Sequence, residues 1–212
     1  MKLSQELWEE NFPIAEKSLN CEFVQGISSG KLDMKAFKIY VAQDAFYLRA
    51  FRKAYALGIA KCDDIETAKI LHKLMGGVLE ELNLHKEYSK TLGIDLDNVK
   101  PLKACKAYTD FLLKVAWNDS LPEIISAMAP CMILYAWLGK SLEKTANQNS
   151  QYIKWIKTYS SEEMQLLAKE METLVDNLCL DNETIRENYK YAMQLELEFF
   201  EEPIRNIKQI SK

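Results

Sequence analysis

The stretch SLPEIISAMAPCMILYAWLGKSLEK, Ser120–Lys144, decides the fold. It opens as a helix does, with Ser120 as the expected N-cap and Glu123 three residues on to complete a capping box. Pro122 falls in the first turn, where a missing N–H costs little. Ile124, Ile125, Met128, Ile133, Leu134, Trp137 and Leu138 then run apolar almost all the way round. A helix without a polar face belongs in the middle of a domain. At its centre stands Pro130-Cys131. Pro130 cannot donate to the carbonyl of Ser126, so a broken ladder and a kink are expected there. A thiol beside such a break is a candidate for chemistry, weighed against the tendency of free Cys to act as a small buried hydrophobe.

Outward from that helix the whole chain reads as helical. Ser4 is the expected cap of a first helix running toward Leu19, bent near Pro13. Asn20–Lys31 reads as a connection, with GISSGK as its turn chemistry. Long helices follow over Met34–Ala60 and Asp64–Leu92, then another segment over Lys100–Asn118. After the central helix come a short helix over Asn149–Thr158, a helix from a Ser160/Glu163 capping box to Leu178, and a last one from Asp181 to Glu202, before Pro203. No segment alternates with period two over a strand's length. The expectation is a single all-α domain over residues 1–212, a bundle of about eight helices.

Composition sets the outer limits. Seven Gly and five Pro in 212 residues leave no flexible linker between two halves. A net charge of −4 argues against a nucleic-acid partner, because phosphate binding needs a basic face. Between Ser160 and Glu202 lie 12 Asp or Glu against 3 Lys or Arg, read as the solvated face of the last two helices. The start, MKLSQELWEE, has no apolar core of a signal peptide, and no run reaches the length of a membrane span. Five scattered Cys without a CxxC argue against disulfides and zinc, and point to the cytoplasm.

Several polar residues stand where apolar ones are expected. Asp44 interrupts the stripe of Phe37, Tyr40, Tyr47, Leu48 and Phe51. A carboxylate facing a core is costly unless a cation or a donor meets it, so Asp44 is either a satisfied structural acid or part of a site. Glu196 sits among Tyr189, Ala192, Met193, Phe199 and Phe200, whereas Glu198 groups with Gln194, Glu201 and Glu202 on the wet side. Tyr108 carries the only hydroxyl on the face of Ala104, Phe111, Leu112 and Val115. Tyr159 falls in the break before Ser160. Leu74, Val78, Glu81, His85 and Tyr88 share a face. Two His in the chain are too few for a di-iron ligand set, so Glu81 and His85 read as a structural pair and no metal is expected.

In order and spacing, several motifs resemble the TenA family, the thiaminase II or aminopyrimidine aminohydrolase group. FVQGISSGKL (23–32) is similar to its FVxGIxxGxL connection, and YVAQDAFYLRAF (40–51) to its YxxQDxxYLxxF helix. EELNLH (80–85) resembles ExxxLH, APCMILY (129–135) resembles xPCxxLY, and YIKWIKTYSSEEM (152–164) resembles YxxWIxxYxxxxF. ELEFF (196–200) resembles ExxFW, with Phe200 in place of Trp. Cys21-Glu22 stands where many relatives have His-Pro.

The resemblance implies a haem-oxygenase-like helical fold, a homotetramer, no cofactor, and a small pyrimidine substrate. It implies Cys131 as nucleophile and Glu196 as acid/base, with Asp44, Tyr47, Tyr108 and Tyr159 binding substrate. The implied reaction hydrolyses 4-amino-5-aminomethyl-2-methylpyrimidine, or thiamin, by covalent catalysis. The thiol's proton has three destinations open to it: the substrate, Asp44 and Glu196. The alternative is a non-catalytic relative binding a thiamin fragment in regulation or transport.

Overall fold

Nine helices and no strand occur among the described residues: α1 Leu3–Asn20, α2 Glu22–Ser29, α3 Met34–Ala60, α4 Ile65–Leu92, α5 Lys103–Asn118, α6 Leu121–Leu142, α7 Ile153–Ser160, α8 Glu162–Leu178 and α9 Glu183–Ile210. The computed structural model describes residues 1–210, the side chains of Leu84, Tyr88 and Ile210 excepted. Tyr88, expected on the face of Glu81 and His85, therefore lies outside the described residues.

The long helices begin and end where their capping chemistry puts them. Asp33 accepts the Lys35 N–H at 2.8 Å to open α3. Asp64 accepts that of Thr67 at 2.7 Å to open α4, and Gly93 closes α4 with φ +67°.

Elsewhere tertiary partners displace the expected caps. Ser4 lies inside the first turn of α1, where its N–H is taken by Asp176 of α8 at 2.9 Å. The Ser120 hydroxyl meets the Glu123 carboxylate and accepts no backbone bond, so the capping box does not form. The cap of α8 is Ser161, which accepts from the Met164 N–H at 3.2 Å, one residue after the expected Ser160. At α9 it is Asn182 that accepts the Ile185 N–H, while Asp181 binds Arg186. Glu202, expected outside, instead accepts the Ala104 N–H at 2.9 Å and closes the first turn of α5.

Two further expectations are corrected. Asn20–Lys31 is no open connection: it holds α2, which buries Phe23, Val24 and Ile27. The turn chemistry is confined to its end, where Gly30 takes φ +77° and the Gly26 carbonyl receives the N–H groups of Lys31 and Leu32. The last helix does not stop before Pro203 either. α1 runs through Pro13, α6 through Pro130 and α9 through Pro203. Each costs a ladder bond, offset by the burial of the helix around it.

α6 is the hub. It packs against α9, α8, α7, α5 and α3, and α3 packs in turn on α4, α5 and α9. By length and apolarity α6 matches a membrane span, contrary to the reading of its sequence, but 78% of the matching window is buried inside the protein. One contact has no tolerance. A Cβ added at Gly139 would lie 2.3 Å from the carbonyl carbon of Tyr159 and 2.5 Å from the nitrogen of Ser160. Backbone therefore touches backbone where α7 ends on α6, and that approach sets the position of Tyr159. Gly139→Ala should lower stability by about 1–3 kcal/mol, the usual scale of overpacking a core, with a matching drop in the thermal midpoint; an unchanged midpoint would contradict this close approach.

Candidate functional site

A cavity of about 220 Å³ lies between α3, α4, α6, α7 and α8. That is below the roughly 300–1,000 Å³ of sites for drug-sized ligands, a size for a single ring with short substituents. α3 lends it Asp44 and Tyr47, α4 lends Glu81, α6 lends Cys131 and Tyr135, and α7 lends Tyr159. Apolar walls come from Leu48, Phe51, Leu74, Val78 and Met132. Of the six residues singled out in the sequence, four line this space.

Tyr108 and Glu196 stand just behind the wall. The Tyr108 hydroxyl donates to Glu196 Oε1 at 2.8 Å. The Glu196 carboxyl is also close enough to the Cys131 thiol for each to act on the other's ionisation. The Tyr47 ring packs 4.7 Å from that of Tyr108. Its hydroxyl lies beside Cys131, yet is buried without a well-formed hydrogen bond. Tyr159 forms the opposite wall, its ring 4.7 Å from both Tyr135 and Trp155.

Asp44 and His85 answer the question of the buried acid. Asp44 is 4% exposed, and His85 Nε2 reaches its Oδ2 at 2.7 Å. His85 Nδ1 faces the backbone carbonyl of Glu81 at 2.9 Å. A carbonyl only accepts, so Nδ1 carries a proton, and the contact with Asp44 requires another. Burial works against a charged imidazole, but the hydrogen bond and charge of Asp44, helped by Glu81, raise His85 to about 9. At neutral pH His85 is therefore held as the imidazolium against Asp44. Glu81 and His85 are paired as expected, through the Glu81 backbone carbonyl and by charge, while the strongest side-chain partners of both lie elsewhere. His85 belongs to Asp44, and the Glu81 carboxyl instead accepts the Tyr159 hydroxyl at 2.5 Å.

The other ionisable groups are moved mainly by loss of water. Burial, reinforced by the Asp44 charge and opposed by the Tyr108 hydroxyl, holds Glu196 up to about 8. Burial and the Asp44 charge raise Glu81 to about 7, against the pull of His85 and Tyr159. Burial and the nearby Glu196 push the Cys131 thiol well up. Cys131 is nonetheless partly accessible, and it opens on the cavity.

Three participants were not assigned to the site from the sequence. Tyr135 follows Cys131 by one helical turn, a spacing that could have revealed it. Glu81 and His85 could not be placed, because nothing local aims α4 at α3 and α7. Phe200, a departure from the family motif, packs against Phe23, Tyr40 and Tyr135 and stays behind the cavity wall.

The architecture and the site together define a haem-oxygenase-like helical protein with a thiol and carboxyls around a ring-sized cavity. Its fold matches that of a domain of unknown function with a heme oxygenase-like fold from Shewanella denitrificans, at TM-score 0.77 and 14% identity over 98% of this chain and 94% of that one. The sequence profile of the TENA/THI-4/PQQC family matches residues 8–206, and the chain belongs to that family. It is 35% identical over 182 residues to the aminopyrimidine aminohydrolase of Halalkalibacterium halodurans, covering 83% of this chain and 81% of that protein. A TenA homologue from Pyrococcus horikoshii superposes with TM-score 0.89 at 25% identity, over 97% of this chain and 99% of that one.

The pKa shifts have a consequence for stability. Glu196 and Glu81 are raised from 4.5 to about 8 and about 7, and His85 from 6.5 to about 9. For each group the folded protein holds the proton more tightly than the unfolded chain. The contribution is complete below the unfolded value and is lost as pH rises through the folded one. The thermal midpoint should therefore fall as pH is raised from 5.5 to 8.5, and Glu196→Gln should flatten the slope. A midpoint that rises over this range would contradict the burial of these groups as acids.

Proposed function

We propose that this protein is an aminopyrimidine aminohydrolase of the thiaminase II type, converting 4-amino-5-aminomethyl-2-methylpyrimidine to its 5-hydroxymethyl counterpart. The observation that carries this reading is a thiol on the wall of a ring-sized cavity with a buried, proton-bearing carboxyl close behind it. Names of relatives such as that of H. halodurans support it.

Cys131 is assigned as the nucleophile. Its thiolate adds to the ring carbon next to a ring nitrogen, and that nitrogen takes a proton as electrons reach it. The adduct then expels the amine from the methylene as ammonia, after protonation. Water adds to the methylene, the ring carbon–sulfur bond breaks, and the thiol regains its proton. One difficult displacement is thereby divided into easier steps.

Glu196 is assigned the proton traffic. Burial is the largest influence on Cys131 and opposes a resting thiolate, outweighing the help of the Tyr47 hydroxyl. Asp44 is a poor recipient for the thiol's proton because His85 already holds it as a carboxylate partner. Glu196 gives its own proton to the ring nitrogen as sulfur adds, and the carboxylate so formed takes the proton of the thiol, with Tyr108 fixing the carboxyl. Asp44, held by His85, accepts from the amino group of the ring. Tyr47 and Tyr159 grip the ring faces.

Five free cysteines fit a reducing, cytoplasmic setting. Exposed apolar groups such as Trp117 at 68% and Leu180 at 80% fit burial in a homotetramer, which sedimentation at micromolar concentration would test; a monomer there would refute it.

Cys131→Ser should abolish turnover and leave the fold intact, because an alcohol is a far poorer nucleophile in nearly the same volume. Cys62→Ser should change nothing. Glu196→Gln should cost on the order of 10²-fold or more in rate, the scale of a lost proton-transfer group. Glu198→Gln, two residues on and exposed, should keep wild-type rates. Steady-state release of ammonia measures all four, and substantial activity in Cys131→Ser would refute the covalent route.

A further inference from the structure

The cavity is lined by four carboxyl side chains, Asp44, Glu80, Glu81 and Glu163, and among the described residues by no lysine or arginine. Their circumstances differ. Asp44 is neutralised by His85 at 2.7 Å. Glu80 and Glu163 are exposed at the rim, where water and salt screen them. Glu81 is half-buried and reaches the enclosed part, where its Oε1 accepts the Tyr159 hydroxyl at 2.5 Å. Among the described residues no ion pair within the protein closes on its carboxyl. Tyr47 lines the same space, and its hydroxyl, beside the Cys131 thiol, is buried without a well-formed hydrogen bond. A lining of acids without bases, together with an unpartnered hydroxyl, is built for a polar ligand bearing positive charge.

The aminohydrolase reading, on which this inference rests, supplies such a charge at one place. A primary amine on a methylene is protonated at neutral pH, as lysine and the α-amino group are. The thiazolium that leaves from thiamin carries a fixed positive charge. The hydroxymethyl product is neutral at the same carbon. We propose that Glu81 is the counter-ion of the leaving group, so that the site tells substrate from product by the charge on the exocyclic methylene.

The physical basis is a charge-assisted hydrogen bond in a space with little water. The Tyr159 hydroxyl holds one oxygen of Glu81 and leaves the other for the ammonium. A cation bound there favours the ionised carboxylate, against the burial that holds Glu81 up to about 7. Once the amine has gone, the attraction goes with it, and the neutral alcohol is held only by its ring.

The test compares Glu81→Gln with wild type, using the aminomethylpyrimidine as substrate and the hydroxymethylpyrimidine as competitive inhibitor. KM for the amine should rise about ten-fold or more, the scale of one hydrogen bond to a charged group. The inhibition constant of the alcohol should stay put. Equal weakening of both ligands, or of neither, overturns the proposal. If Glu81→Gln does not fold, the dissociation constants of Cys131→Ser for the two compounds decide: tighter binding of the amine by about ten-fold supports it, equal binding overturns it. A wild type that does not turn over the amine defeats the aminohydrolase reading itself, and the same binding ratio still judges Glu81. Turnover by wild type with an unchanged KM in Glu81→Gln defeats only the counter-ion.

Discussion

Helix α6 has no face that it can show to water, and the arrangement of the other helices follows from covering it. From Ile124 to Leu142 nearly every side chain is buried, so α3, α5, α7, α8 and α9 must all reach it. Burying one apolar side chain is worth about 1.5–3 kcal/mol, which makes this coverage far more stabilising than any single cap or ion pair on the surface. Gly139 shows how close the coverage comes, since the chain of α7 occupies the place of a side chain there. Cys131 is presented to the cavity by the same helix, so the core and the site share one element.

That sharing explains the electrostatics. A site built against the hub of a core is short of water, and every ionisable group in it must find a partner or keep its neutral form. Asp44 finds His85. Glu196 finds only the Tyr108 hydroxyl and the thiol, and so retains its proton up to about 8. Acids of one chemical type are thereby held in different circumstances, one paired with an imidazole and the other keeping its proton, by their neighbours alone. This is the general pattern by which neighbouring carboxyls acquire separate roles near neutral pH.

Prolines and caps make a related point about which energies prevail. Pro13, Pro130 and Pro203 each sit inside a continuous helix. An interior proline costs about 3 kcal/mol or more, and a lost cap about 1 kcal/mol. Both are small beside the burial of a helix face. The Ser4 N–H and the first turn of α5 are satisfied by Asp176 and Glu202, from helices far along the chain.

By itself the sequence determined the helical class, the limits of α3 and α4, the burial of α6, and the inward phase of Glu196 against the outward phase of Glu198. Each of these is a local property, fixed by periodicity or by a capping side chain within a few residues. Asp44, Tyr47, Tyr108, Cys131 and Glu196 were legible for the same reason, as polar or reactive groups on apolar faces or in motifs. Only the tertiary structure decided what met them. His85 is 41 residues from Asp44, and Glu81 is 78 from Tyr159; no spacing within one helix records those contacts. The short α2 went unread because its Gly-rich ending resembles a turn, and what makes it helical is the burial of Phe23, Val24 and Ile27 in the common core. Local chemistry chose the elements, and long-range packing chose which acid meets the imidazole and which one meets the Tyr159 hydroxyl.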